Sequence, residues 1–172
     1  FREDYYPEDM IDPGTGLSSR RLAQTALAEA HRFIEDFSQT HPNLFLYGST
    51  GTGKTFLTNC IAKELLERSF SVLYFSSGQL FDRFSRHSFS SEKEDDDFRY
   101  HVFDCDLLII DDLGTEMVNA FVSSQLFLLI NERLMRRKST VISTNLTPEN
   151  LDGEHLCCII RSKKAHPGVE AK

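Results

Sequence analysis

The chain has 172 residues, 40% hydrophobic and 26% charged, which fits one ordinary globular domain with a proper core. A formal net charge of −7 excludes attraction to nucleic acid by bulk charge, so any DNA contact has to come from a local basic patch. The four cysteines lack C-x-x-C spacing, Cys60 and Cys105 sit in apolar runs, and no secretory or transmembrane stretch is present, so a reducing, cytoplasmic home is expected.

The opening, Phe1-Arg2-Glu3-Asp4-Tyr5-Tyr6-Pro7, is aromatic and acidic and reads as the middle of a longer protein, with an N-terminal domain missing. Residues 1–17, turn-rich with Pro7, Pro13, Gly14 and Gly16, form a lead-in segment to a core over 18–151. Ser18 or Ser19 can cap a helix whose apolar residues Leu22, Ala26, Ala30, Phe33 and Phe37 recur at three- and four-residue intervals, ending near His41-Pro42.

Asn43 to Tyr47 can be a buried strand, and Phe56 to Arg68 reads as a helix with Leu57, Ile61, Leu65 and Leu66 on its buried face. Between them lies Gly48-Ser49-Thr50-Gly51-Thr52-Gly53-Lys54-Thr55, a full G-x-x-x-x-G-K-S/T phosphate-binding pattern at the point where a strand turns into a helix. Backbone N–H groups from about Thr50 to Thr55 would converge on a β-phosphate, helped by the partial positive charge of the helix end. Phe56 continues that loop into the helix. Lys54 would bridge β- and γ-phosphates and Thr55 would hold Mg²⁺, so ATP and Mg²⁺ are the expected cofactors.

A second strand is expected at Ser71 to Phe75, then a short helix around Gln79 to Arg86 and a polar loop, Ser88 to Asp97. The acidic run Glu92, Glu94, Asp95, Asp96 and Asp97 lacks the interleaved glycine of a calcium loop and reads as solvated surface. The six histidines lack metal-ligand spacing. Asp106 to Asp112 is an apolar run ending in two carboxylates, a strand buried on both faces. A long helix from about Val118 to Arg137 and a strand from Ser139 to Asn145 follow. Four strands alternating with helices specify a doubly wound α/β sheet, with ligands at the C-terminal ends of its strands.

The carboxylates narrow the chemistry. Asp111 can bind the hydration shell of Mg²⁺ while Asp112 orients or deprotonates an attacking water. Adjacent side chains on a strand point opposite ways, so the pair is expected at the strand tip. Glu116 fits equally a supporting acid or a favourable charge at the next helix start. Asn145 can hydrogen-bond a γ-phosphate or its attacking water, or serve as a plain strand-to-turn residue before Thr147-Pro148. Arg133, Arg136, Arg137 and Lys138 cluster at a helix C-terminus, where the dipole stabilises cations.

Together these residues resemble the AAA+ ATPases of the bacterial DnaC/DnaI helicase-loader group and the related IstB transposition helpers. The resemblance spans about Tyr5 to Leu151 and rests on Tyr47 to Thr55 as Walker A, Leu107 to Glu116 as an extended Walker B, Leu129-Ile130-Asn131-Glu132-Arg133, and Ser143-Thr144-Asn145-Leu146 as sensor 1. It implies a P-loop NTPase, an AAA+ three-layer sandwich with a parallel sheet in the order 5-1-4-3-2. It also implies a replicative helicase as partner, gripped through the missing N-terminal domain, and ATP-dependent homo-oligomerisation. Single-stranded DNA would be contacted by the segment after the second strand, where Arg83 and Arg86 are the candidates and Phe81 and Phe84 have core spacing as well.

The resemblance ends after Leu151. Family members continue into an arginine-bearing helix and a fifth strand, whereas residues 152–172 diverge into a Pro/Gly tail and leave that strand without a counterpart; truncation or a frame change is the expectation. Loss of an arginine supplied to the neighbouring subunit would lower hydrolysis by roughly 10³-fold or more, with Arg161 a weak substitute. The expected function is an ATP-binding helicase-loader module that slowly hydrolyses ATP using Lys54, Asp112 and Asn145. The alternatives are an IstB-like helper, a small-molecule kinase and a nucleotide-gated binding module without turnover.

Overall fold

The computed structural model describes residues 2–87, 93–114 and 120–146. Among these, four strands, β1 (Leu44–Tyr47), β2 (Val72–Ser76), β3 (Leu107–Leu113) and β4 (Ser139–Thr144), pair in parallel in the order β1-β4-β3-β2. This is the expected order for those four strands; the divergent residues 152–172 lie outside the described residues.

Five described helices cover the sheet: α1 (Ser19–Thr40), α2 (Lys54–Glu67), α3 (Ser77–His87), α4 (Lys93–Asp104) and α5 (Ala120–Met135). Strand alternation sorts the core into two layers. Leu44, Leu46, Leu107, Ile109 and Val141 face α1 and α2, where they meet Phe33, Phe37, Leu57, Ile61 and Leu65. Phe45, Leu73, Phe75, Leu108, Ile110 and Ile142 face α3, α4 and α5 and meet Leu80, Phe84, Val102 and Leu129. Helices on both faces explain why β3 is a continuous apolar run.

Local chemistry sets the helix ends. Ser18 caps α1, its hydroxyl accepting from the Arg21 N–H at 3.3 Å, and His41 closes it in the left-handed region with φ 47°. Of the expected core positions in α1, Ala30, Phe33 and Phe37 are buried, Leu22 and Ala26 are half-buried, and Ala23 is buried in addition. At the end of α2 the Phe70 N–H bonds Leu65 O and the Ser69 N–H bonds Leu66 O, with Ser69 left-handed at φ 66°. That turn folds Phe70 onto Phe37, ring centroids 4.8 Å apart, so Phe70 closes the core there. Leu66, expected on the buried face, is 56% exposed as a result.

The expected loop through Asp97 is also corrected, because α4 begins at Lys93. The backbone of Glu94 to Asp97 falls in its first turns, Glu92 lies outside the described residues, and Phe98 and Val102 anchor the helix in the core.

Candidate functional site

β1 ends at Tyr47 and α2 starts at Lys54, so residues 48–53 make the whole turn between them. The Gly48 N–H bonds Thr144 O at 3.3 Å, tying the loop to the end of β4. Gly53 is the N-cap of α2 at φ 89°, a conformation suited to glycine, and no side chain caps the helix start. An uncapped N-terminus in a glycine loop is a ready anion site. Phe56, 56% exposed, stands in its first turn.

Lys54 reaches back across this loop. Its Nζ donates to Gly48 O at 2.8 Å, Ser49 O at 2.9 Å and Asn145 Oδ1 at 2.8 Å. Burial lowers the ammonium from its ordinary pKa, while the nearby carboxylates of Asp112 and then Asp111 work against that shift. The loop lysine, the residue after β4 and the two β3 carboxylates therefore share one site.

The acidic pair lies at the C-terminal end of β3, which ends one residue later at Leu113. Ile110 pairs with Ile142 and Leu113 with Thr144, so β3 holds one more residue than β4 over this stretch. This is a bulge, and Asp112 occupies it with φ 56°. Aspartate tolerates that left-handed conformation better than most side chains. The bulge changes the alternation: Leu113 joins the α3–α5 layer, although Ile109, four residues earlier, faces α2. Adjacent carboxylates are thus brought to one site at the end of the strand.

Buried hydroxyls hold the bulge. Ser143 Oγ accepts from the Asp112 N–H at 3.0 Å and donates to Asp111 Oδ1 in a very short contact. Ser77 Oγ donates to Asp112 O at 2.9 Å and Thr144 Oγ1 to Leu113 O at 2.6 Å. Tyr74 Oη donates to Asp111 Oδ2 at 2.6 Å, and burial, followed by this bond, pushes its pKa up to about 12. Gly114 turns the chain at φ 92°, where a Cβ would lie 2.5 Å from Leu146 Cδ1. Sequence reasoning missed Tyr74 and Ser77 as parts of the site and took Ser143 and Thr144 only as the run leading to Asn145; for Tyr74 the available signal was a hydroxyl inside an otherwise apolar strand segment.

The lead-in segment also reaches the loop. Tyr6 Oη donates to Thr52 O at 3.1 Å and lies 2.5 Å from where a Gly53 Cβ would stand, while Arg20 Nε holds Tyr6 O at 3.1 Å. The donor set of Asp111, Asp112 and Thr55 is all oxygen, which suits Mg²⁺. Among the described residues no group of three or more His, Cys, Asp or Glu could hold a metal alone. That fits an ion shared between one or two carboxylates and nucleotide phosphates.

Other expectations fall elsewhere. Arg83 is exposed on α3, its guanidinium 4.0 Å from the Phe98 ring centroid, and Phe81 and Phe84 are core. The backbone of Arg86 belongs to α3, but its side chain lies outside the described residues, as does all of Glu116. The basic cluster is dispersed: Arg136 pairs with Glu132 at 2.8 Å, Lys138 pairs with Asp106 at 3.0 Å, and Arg133 is fully buried. Arg133 donates to Val102 O, Cys105 O and Thr140 Oγ1 at 2.6, 3.1 and 3.0 Å, so backbone carbonyls rather than a helix dipole hold this cation.

The sequence profile of the bacterial DnaA ATPase domain matches residues 16–162, running past Leu151 into the segment that diverges from the loader pattern. The chain is 27% identical over 152 residues to the chromosomal replication initiator protein DnaA of Aquifex aeolicus (strain VF5), an alignment covering 85% of this chain and 37% of that protein. It is 25% identical over 126 residues to the replicative helicase loader DnaC of Escherichia coli (strain K12), covering 73% and 51%. The chain thus spans a third to a half of these relatives. Its fold matches a solved replication initiator DnaA bound to AMPPCP and single-stranded DNA with a TM-score of 0.69 at 23% identity, covering 92% of this chain and 48% of that one. The chain belongs to the bacterial DnaA ATPase domain family, an AAA+ fold shared by replication initiators and helicase loaders.

Proposed function

Taking that membership as the premise, we propose that the chain is an ATP-binding AAA+ module of a helicase-loader type, in which residues 18–151 are the ATPase core, 1–17 a lead-in and 152–172 a divergent tail. The observation that carries this reading is the placement of Lys54, bonded to its own loop and to Asn145 with Asp111 and Asp112 nearby.

ATP would enter with its phosphates on Gly48 to Thr55 and the first turn of α2. Lys54 exchanges carbonyl oxygens for phosphate oxygens, which keeps its ammonium partnered before and after binding. Thr55 and Asp111 would hold Mg²⁺, which when bound would supply positive charge to offset that of the nucleotide phosphates. Asp112 orients the attacking water or takes its proton, and Asn145, released from Lys54, hydrogen-bonds the γ-phosphate or that water. Exposed Arg83, and Arg86 one turn on, are the proposed single-strand contacts. A replicative helicase and further copies of the chain are the proposed partners, in the cytoplasm; no described helix is long and apolar enough to cross a membrane.

Fluorescence anisotropy of a labelled single-stranded oligonucleotide, titrated at fixed low salt with Mg²⁺-ATP, with Mg²⁺-ADP and without nucleotide, tests the reading. Tighter binding with ATP is expected. Equal binding in all three conditions removes nucleotide control, and no binding in any of them removes the DNA-contacting role.

A further inference from the structure

β2 is apolar at Val72, Leu73 and Phe75, and phenylalanine would fill nearly the same volume as Tyr74 between them. The distinguishing atom is the hydroxyl, and it stands at a junction. It donates to Asp111 Oδ2 at 2.6 Å on β3 and lies 3.1 Å from Thr58 Oγ1 and 3.5 Å from Asn59 Nδ2 on α2. Thr58 Oγ1 and Asn59 Nδ2 in turn donate to Thr55 O at 2.9 and 2.7 Å. Tyr74 and Thr58 each spend their single hydroxyl proton on Asp111 and Thr55, so the link between them is the Asn59 amide, whose two protons serve Tyr74 Oη and Thr55 O and complete a path from Asp111 to the backbone of Thr55.

The other oxygen of Asp111 accepts from Ser143, so the carboxylate is held on both sides. Thr58 and Ser143 are fully buried, which removes water as a competing partner for either hydroxyl. Such outer partners fix the orientation of metal-facing oxygens.

We infer that Tyr74 is a positioning residue for the divalent cation, its hydroxyl setting the spacing between Asp111 on the sheet and the first turn of α2 so that Asp111 and Thr55 meet one Mg²⁺. The inference rests on the reading above, in which those two residues face the ion. The role is separate from grip on the phosphates, which lies with the loop and Lys54.

The test is binding of a fluorescent N-methylanthraniloyl-ATP to wild type, Tyr74→Phe and Asn59→Leu, first in EDTA and then across a MgCl₂ titration, with far-UV circular dichroism on each protein. Tyr74→Phe should bind the nucleotide in EDTA within about twofold of wild type but need roughly 3- to 10-fold more Mg²⁺ for the half-maximal response. Asn59→Leu should shift the Mg²⁺ requirement in the same direction by less, and it carries the test alone if the tyrosine variant does not fold. An unchanged Mg²⁺ requirement, or affinity lost equally with and without Mg²⁺, overturns the inference. So does a wild-type protein that binds nucleotide without responding to Mg²⁺. A wild-type protein that binds no nucleotide in either condition sinks the ATP-binding reading itself.

Discussion

Lys54 Nζ donates a 2.8 Å hydrogen bond to Asn145 Oδ1, joining the first residue of α2 to the residue after β4 across 91 positions of chain. The amide thereby serves as a neutral counterpart for the loop cation. Replacing it should separate binding from turnover. Asn145→Ala leaves Lys54 its two loop carbonyls, so nucleotide affinity should change by less than about threefold while single-turnover hydrolysis falls roughly 10- to 100-fold. Lys54→Ala should instead lose nucleotide affinity with circular dichroism unchanged. Wild-type hydrolysis in the first variant removes Asn145 from the mechanism; unchanged affinity in the second removes the assigned site.

Asp112 sits at φ 56° in the β3 bulge, which restricts what can replace it. Asparagine tolerates that conformation, so Asp112→Asn should fold normally, retain ATP and turn over about 10²- to 10⁴-fold more slowly. Asp112→Val should in addition lose about 1–2 kcal/mol of stability from left-handed strain. Urea melts beside rapid-quench hydrolysis measure the two effects, and equal melts for both variants would contradict the strain argument.

Arg133 should matter for stability alone. Removing its guanidinium leaves Val102 O, Cys105 O and Ser139 O without their donor inside the core. Arg133→Met should therefore cost about 3–5 kcal/mol, and Arg133→Lys less, because the ammonium reaches fewer of these acceptors. Chemical denaturation reads the difference. A methionine variant as stable as wild type would mean that apolar packing replaces the network fully.

Asp106 gives the fold an acid sensitivity. Burial pushes its carboxyl up, but the Ser71 N–H, the Ser71 hydroxyl and Lys138 outweigh it and leave the pKa below the ordinary value. A folded pKa below the unfolded one contributes stability above about pH 3.9, and that contribution is lost as pH falls through the folded value. Asp106→Asn should thus cost stability at pH 7, no more than about 1 kcal/mol after solvent screening, with the gap to wild type narrowing below about pH 4. Denaturation curves at pH 7, 5 and 3.5 check the trend; a constant gap would assign the loss to geometry rather than charge.

The strand-loop-helix junction and the carboxylate strand were legible because each combines an apolar run with a fixed pattern of polar residues. The helical period likewise gave α1 and α2. What escaped was set by contacts remote in sequence. Lys93 to Asp97 look like loop because their acidic side chains carry no apolar period, yet Phe98 and Val102 commit the segment to a helix. Arg133 looks like one of four surface cations, and only the folded sheet brings carbonyls from α4 and from the start of β4 around it. The bulge at Asp112 depends on Ser77 and Ser143, 35 and 31 positions away, and nothing local to Asp111-Asp112 announces it. Tyr74 reads from sequence simply as a strand residue because its partners lie on two other elements.

The polar pins of this sheet lie at its two ends. At one, Asp106, Ser71 and Arg133 bind the starts of β2, β3 and β4; at the other, Tyr74, Ser77, Ser143 and Thr144 bind their finishes, with aliphatic side chains between. A lengthwise slip of β3 by a single residue would break pins at both ends together and leave several buried polar groups unmatched. The sheet therefore acts as a rigid chassis. Among the described residues, the glycine loop and the lead-in segment that Tyr6 fastens to Thr52 lie outside this pinned frame.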